Sequence, residues 1–144
     1  MKIHAVAALA LITLGTGCDM APTPTVAAGD GADFAAITAA PTALAFAALG
    51  ATQVDAATFQ TDIVGRTMTD VGGGWTWIIA ADGTNASYAT DGSWGGVDGN
   101  WALQGDSYCI DAPQAKCRDV WMLGDIMRLA NADGSLDGWS VRVP

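Results

Sequence analysis

Short runs of alternating apolar and polar residues occupy the chain from about residue 54 onward. Trp75, Trp77 and Ile79 are spaced two apart, and so are Trp121 and Leu123. Successive side chains of a β-strand point to opposite faces, so each set predicts a strand with one apolar face.

The same spacing continues to the end of the sequence. Trp139, Val141 and Val143 alternate with Ser140 and Arg142. This pattern predicts a final strand whose three apolar side chains point into the core and whose other two side chains point outward.

Pairs of glycine and aspartate separate the predicted strands and act as turn signals. Strands that recur every ~8–12 residues between such turns are typical of an antiparallel meander. We therefore predict an all-β domain over residues 54–144, with about seven or eight strands that close as a small barrel or fold as a sandwich. A short helix around Ala56–Ile63 would precede the strands. The predicted turns are Asp82-Gly83, Asp91-Gly92, Asp98-Gly99, Gly105-Asp106 and Gly124-Asp125.

Residues 18–53 have a different composition, dominated by Ala, Pro and Thr. Proline and glycine in the first half of this segment predict a partly disordered tether. Residues 34–49 are richer in apolar residues, and two alternatives stay open for them: a loosely ordered chain, or a helix that packs on the domain. Pro41 would interrupt such a helix.

Residues 1–17 have the pattern of a bacterial export signal. Lys2 lies in a short basic start, and an apolar run of ten residues, 5–14, follows it. That run is too short to span a bilayer as a helix, which takes about 20 residues.

The small residues before Cys18 resemble a lipobox, although Gly15 stands where leucine is most common. The resemblance implies cleavage before Cys18 and its acylation. We therefore expect a lipoprotein in the periplasm of a Gram-negative cell envelope, anchored to the inner or outer membrane.

Acylation of Cys18 would leave two cysteines, Cys109 and Cys117. Exported chains form disulfides readily, and the two residues are close in sequence. We predict a disulfide between them.

The charge balance is strongly acidic, with a formal net charge of −9. Loss of residues 1–17 would leave five basic and fifteen acidic side chains, a net charge of −10. This balance argues against nucleic-acid binding, which needs basic side chains to neutralise phosphates. We expect membrane contact through the N-terminal lipid, with an envelope protein or a glycan as further partner.

Catalytic and metal-binding residue types are scarce. His4, the single histidine, lies in the predicted signal, and the chain has no glutamate. A calcium loop starting at Asn131 fails because its twelfth position is Arg142 instead of Glu. We therefore predict no enzyme activity, no cofactor and no metal site.

The motif Asp-Gly-x-Trp occurs twice, at residues 91–94 and 98–101. Aromatic rings stack on sugars and carboxylates accept hydrogen bonds from hydroxyls, so these residues suggest a ligand site. The alternative is that the tryptophans fill a small core. Our candidate ligand contacts are Trp75, Trp94, Asp91 and Asp98.

Several short motifs lie between Thr58 and Arg142, among them Gly65–Thr69, Tyr108-Cys109 and Gly138–Arg142. In these motifs the chain resembles a group of small exported proteins and lipoproteins of alphaproteobacteria with no established activity. The resemblance implies a Trp- and Gly-rich β domain with one short-range disulfide, and no catalytic residues. We expect a cell-envelope lipoprotein with a binding or structural role. The alternatives are a β-barrel lipoprotein similar to protease inhibitors, and a glycan-binding module. The matching residues are Phe59, Gly65–Thr69, Asp82-Gly83, Gly99, Trp101, Tyr108-Cys109, Cys117, Val120, Gly124-Asp125, Arg128 and Gly138–Arg142.

Overall fold

A closed antiparallel β-barrel forms the body of the protein. The computed structural model describes residues 31–111 and 116–144. The predicted all-β meander is confirmed, and of the two closures left open the chain adopts the barrel. The nine strands in this part of the chain are β1 (Thr52–Gln53), β2 (Thr67–Asp70), β3 (Trp75–Ile79), β4 (Thr84–Ala89), β5 (Gly95–Gln104), β6 (Ser107–Ile110), β7 (Lys116–Leu123), β8 (Ile126–Ala130) and β9 (Val141–Arg142).

Each strand from β2 to β8 pairs with the strand that follows it, and β9 pairs with β2 to close the barrel. The ninth strand, β1, extends the sheet by pairing with the last part of β7, beyond the residues that pair with β6. Closure in this way removes the exposed sheet edges that would otherwise invite aggregation.

The inner face of the barrel holds the larger of two hydrophobic clusters. Trp77 and Ile79 of β3 are buried in it, and Trp75 packs against it half-buried, as their spacing predicts. Val120 of β7 faces the same interior, whereas Trp121 faces the second cluster outside the barrel. Both faces of β7 are therefore covered in this part of the strand, which explains why apolar and polar residues do not alternate strictly along it.

A short helix closes one end of the barrel. It runs from Ala56–Thr58 (α3) into a π-helical turn, Phe59–Ile63, which agrees with the helix predicted over residues 56–63. Asp55 caps the helix by accepting a hydrogen bond from the Thr58 amide at 2.7 Å. Phe59 and Ile63 are fully buried among the inward-facing strand residues. The helix thereby fills this end, and the opposite end is left open.

Two further helices pack on the outside of the barrel and settle the alternative left open for residues 34–49. Helix α1 covers Gly31–Ala39 and helix α2 covers Ala43–Ala48, with Pro41 between them as expected. Phe46 is fully buried in the outer cluster, which also contains Ile126 of β8. Residues 34–53, assigned to the tether from composition, therefore pack on the barrel, and residues 18–30 of the predicted tether lie outside the described residues.

The guanidinium of Arg128 joins these helices to the barrel. It donates hydrogen bonds to the carbonyls of Ile37 and Ala40 at 2.8 and 2.7 Å, and to that of Asp137 at 2.8 Å. Burial lowers the pKa of Arg128, and the negative charge of Asp137 partly opposes this lowering. Carbonyls at the end of a helix lack intrahelical donors and favour a cation, so this contact supplies what α1 leaves unsatisfied.

The predicted disulfide is confirmed. Cys109 of β6 and Cys117 of β7 are direct partners across the two strands and are joined by their sulfur atoms. Residues 1–17 and Cys18 lie outside the described residues. Within the described ranges, no helix has the length and apolar character required to cross a membrane.

Two expectations for the last strand are corrected. Trp139 lines the barrel cavity but is 60% exposed at its mouth instead of buried in the core, and Ser140 is buried instead of outward-facing. The strand is shorter than predicted and begins at Val141, so both residues lie in the segment before it.

Candidate functional site

A cavity of about 580 Å³ occupies the open end of the barrel. Its walls come from strands β3 to β8 and from the segment before β9. Trp77 and Tyr108 form its inner part, and their rings meet edge to face with centroids 5.7 Å apart. An eight-stranded barrel is wide enough to hold one small ligand when side chains do not fill it.

Indole rings rim the mouth of this cavity. Trp75 and Trp139 meet edge to face with ring centroids 5.5 Å apart. Trp94 is 54% exposed and Trp139 is 60% exposed, although both line the cavity. Large apolar side chains at a concave surface are the usual lining of small-molecule sites.

A buried amide organises the polar part of the cavity. Asn85 Oδ1 accepts hydrogen bonds from the Trp77 indole N–H and from the Tyr108 hydroxyl. Its Nδ2 donates to Asp98 Oδ2 at 3.4 Å, and the Ser87 hydroxyl donates to the same carboxylate oxygen. Asn85 thereby connects the aromatic side of the cavity to a carboxylate on the next strand.

Asp98 reaches the cavity because strand β5 contains a β-bulge. The register passes from Asn85 opposite Gly99 to Ala86 opposite Val97, so Asp98 is the extra residue. The extra residue reverses which side chains face inward beyond it. Asp98 consequently lines the cavity, and Val97 is 66% exposed on the outside. The predicted turn at Asp98-Gly99 was wrong: β5 continues through it.

Tyr108 keeps its phenolic proton over a wider pH range than an exposed tyrosine. Burial raises the pKa of Tyr108, the positive charge of Arg118 opposes that rise, and the negative charge of Asp98 adds to it. The hydroxyl therefore acts as a hydrogen-bond donor to Asn85 at neutral pH.

Two cations lie on the β7 side of the cavity. Lys116 and Arg118 pair across the sheet with Ile110 and Tyr108, all four lining the cavity. The disulfide lies between these two pairs, on the other face of the same strands. Because it covalently fixes the register of β6 and β7, it fixes the cations relative to the aromatic side.

Arg118 forms an ion pair with Asp137 at 3.2 Å, and both side chains are mostly buried, at 15% and 16% exposure. Its Nε is buried and has no hydrogen-bond partner among the described residues. A buried pair of this kind largely cancels its own charge, which leaves Lys116 as the cation with an uncompensated charge at this wall.

Three of the four candidate contacts converge on the cavity and one does not. Trp75, Trp94 and Asp98 line it. Asp91 instead accepts a hydrogen bond from the Ser93 amide at 2.9 Å in the turn before β5. Hydrogen bonds from the Ser93 side chain and backbone lower the pKa of Asp91.

Sequence reasoning did not rank nine of the cavity-lining residues as ligand contacts. For Asn85 and Ser87 a signal existed, because they alternate on β4 and occupy one face. Lys116 and Arg118 flank a predicted disulfide cysteine and are two of the few cations in the chain. The nine residues are Trp77, Asn85, Ser87, Tyr108, Ile110, Lys116, Arg118, Leu129 and Trp139.

No group of three or more His, Cys, Asp or Glu side chains within residues 31–111 and 116–144 is arranged to hold a metal ion. No protein-family model, no curated protein and no solved structure matches this chain.

Proposed function

We propose that this protein binds a small ligand in the cavity at the open end of its barrel. The observation that carries the proposal is a 580 Å³ cavity with indole walls and a few converging polar groups. Small-molecule sites have volumes of about 300–1,000 Å³ and this same mixture of apolar area and sparse polar groups. The exposed rings of Trp94 and Trp139 mark the entrance.

Recognition accounts for the lining better than catalysis. The polar groups are a carboxylate, an amide, two hydroxyls and two cations, which suit hydrogen bonding and charge pairing. The raised pKa of Tyr108 makes its phenolate scarce at neutral pH, so it is a poor general base. His4, the single histidine, belongs to the predicted signal peptide.

The proposed place of action is the envelope of a Gram-negative cell, on the periplasmic side. The support is the sequence of residues 1–18 and the disulfide, which oxidising compartments favour. Acylation of Cys18 would hold the barrel at the inner or outer membrane. The relation to small exported alphaproteobacterial proteins, like the protease-inhibitor alternative, stays a prediction.

A glycan is the second candidate ligand. Trp94 and Trp139 are exposed indoles at the cavity mouth, and Asp98 lines the same cavity with acceptor oxygens. Sugar rings stack on such faces while their hydroxyls donate to carboxylates. This candidate shares the cavity with the first proposal and differs only in the ligand's chemistry.

Native mass spectrometry of the purified protein after incubation with envelope extract tests the proposal. We expect bound small-molecule mass on the wild type and its loss from the double variant Trp94→Ala/Trp139→Ala. Tyr88→Ala is the matched control, because Tyr88 is also an exposed aromatic side chain on a cavity-forming strand but does not line the cavity. A wild type that carries no added mass, with every tryptophan shielded from acrylamide quenching, would contradict the proposal.

Metabolic labelling with a fatty-acid analogue in a Gram-negative host tests the proposed anchor. We expect label on the full-length wild type and none on Cys18→Ser. An unlabelled, freely soluble wild type would remove the anchor from the proposal and leave the ligand site untouched.

A further inference from the structure

Opposite charges lie on different strands of the cavity. Asp98 is on β5 and Lys116 is on β7, with β6 between them. Neighbouring strands are about 4.8 Å apart, so strands β5 and β7 are separated by roughly 10 Å across the wall. Lys116 is level with Trp101 through Ile110, so Asp98 is also offset by three residues along β5. Neither side chain forms an ion pair with another described residue. The cavity thus presents one negative and one positive group, each available to a ligand.

The wall beside Asp98 offers acceptors of hydrogen bonds. Asn85 Oδ1 already receives two donors, and Asp98 Oδ2 receives donors from Ser87 and Asn85. Asp98 Oδ1 receives none from the described residues. A carboxylate oxygen accepts and never donates, so a ligand group that fits here must supply an N–H or O–H donor or a positive charge.

The aromatic rings strengthen this preference for positive charge. Trp75, Trp94 and Trp139 line the mouth, with Trp77 and Tyr108 beneath them. Faces of aromatic rings attract cations, and indole does so best.

The wall on β7 has the opposite preference. The ammonium of Lys116 has three donors and no acceptor, so it favours an anionic or acceptor group. Arg118 adds donors deeper in the same wall, with its charge compensated by Asp137 at 3.2 Å.

We propose that the ligand of this cavity is a zwitterion whose ammonium group lies between the indoles and Asp98 and whose acidic group lies at Lys116. The inference rests on the proposed ligand-binding function and names its substrate class: small molecules or peptide termini that carry both charges. A neutral sugar satisfies the acceptors of Asp98 but leaves the charge of Lys116 unpaired.

Four probes with tryptophan fluorescence and calorimetry as readouts separate these chemistries. 6-Aminohexanoate carries both charges, hexylamine carries only the cation, hexanoate carries only the anion, and chitobiose is a neutral sugar. We expect 6-aminohexanoate to bind at least tenfold more tightly than either singly charged probe, with weakening at high salt because ionic strength screens charges.

Two variants give a crossed pattern. Asp98→Asn keeps the shape of the side chain, and we expect it to weaken 6-aminohexanoate and hexylamine about tenfold while leaving hexanoate unchanged. Lys116→Met should weaken 6-aminohexanoate and hexanoate and leave hexylamine unchanged. Asp91→Asn is the matched control, because Asp91 also precedes a glycine yet does not line the cavity; it should change none of the affinities.

Saturable binding of chitobiose, with no preference for 6-aminohexanoate over the singly charged probes, would overturn the zwitterion and leave the proposed binding function standing. Absence of saturable binding by all four probes would overturn the zwitterion as well. If the wild type also carries no added mass in the native measurement, the binding function falls with it. Equal effects of Asp98→Asn on all four probes would also count against the zwitterion, since they would report a distorted cavity.

Discussion

The hydroxyl of Tyr108 donates a hydrogen bond of 2.7 Å to Asn85 Oδ1 in the interior of the barrel. The two residues lie on β6 and β4, so the bond spans β5, the strand between them. It holds the amide that in turn contacts Asp98, and it couples the packed core to the polar side of the cavity.

Replacing Asn85 by Leu removes the shared acceptor of Tyr108 and Trp77. Two buried donors are then unsatisfied, and each costs about 1–3 kcal/mol. We expect the free energy of unfolding in urea to fall by about 2–6 kcal/mol. Tyr108→Phe removes one donor and leaves the amide bonded to Trp77, so its loss should be smaller. A larger loss for Tyr108→Phe than for Asn85→Leu would contradict this account.

Stability at alkaline pH should depend on Tyr108. Folding raises its pKa above the value of about 10 in unfolded chains, so the folded state holds the phenolic proton more tightly. The resulting contribution to the free energy of unfolding is complete below about pH 10 and is lost as pH rises beyond that value. Urea unfolding measured between neutral pH and pH 11 should show a steeper fall for the wild type than for Tyr108→Phe. Parallel curves would show that another group causes the fall.

Gly95 and Gly96 differ in the space around them. A Cβ on Gly95 would lie 2.4 Å from Tyr88 Cδ1, whereas a Cβ on Gly96 has no neighbour within 4 Å. Both have φ of 157°, so any backbone cost is common to the two. We expect Gly95→Ala to lower the free energy of unfolding by about 1–3 kcal/mol more than Gly96→Ala, because crowding displaces the Tyr88 ring and backbone. Equal losses would exclude the close approach as their cause.

Arg128 and Arg142 are two arginines in contrasting environments, one buried and one exposed. Arg128 is buried and bonds three carbonyls, whereas Arg142 pairs with Asp125 at 2.6 Å in an exposed position. Arg128→Met leaves those carbonyls without a donor and should lower stability by about 2–4 kcal/mol. Arg142→Met should cost less than about 1 kcal/mol, as exposed ion pairs do. Hydrogen exchange should rise across residues 31–48 for the first variant alone; unchanged exchange there would contradict the anchoring role of Arg128.

The disulfide between Cys109 and Cys117 should contribute to both stability and site geometry. The loop that it closes is short, and the chain-entropy relation gives about 2.5 kcal/mol for it. We expect the free energy of unfolding in urea to be lower by that amount for the double variant Cys109→Ala/Cys117→Ala. Reductant should destabilise the wild type similarly and have no effect on the variant. Equal midpoints for wild type and variant would show that strand pairing alone fixes β6 against β7.

The local parts of this fold are readable from single segments of sequence. Two-residue alternation identified the inward face of β3, and the turn pair Asp82-Gly83 matches the connection between β3 and β4. The disulfide was also predictable, because its cysteines are only eight residues apart in a sequence predicted to be exported. Each of these features depends on neighbours along the chain, which the sequence lists directly.

The site depends on the register and pairing of its strands, which only the tertiary structure decides. Asp98-Gly99 has the residue types of a β-turn. Pairing of β5 with β4 instead makes Asp98 the extra residue of a β-bulge, which directs its carboxylate inward. Trp139 is far in sequence from Trp75, and only barrel closure brings their rings together. The helices of residues 31–48 likewise depend on the outer face of β8 and on Arg128. The sequence alone predicted the all-β class, the inward face of β3 and four of the five Gly/Asp turns, because alternation and turn chemistry are local. Closure of the barrel decided which side chains share the cavity, because that depends on register between strands distant along the chain.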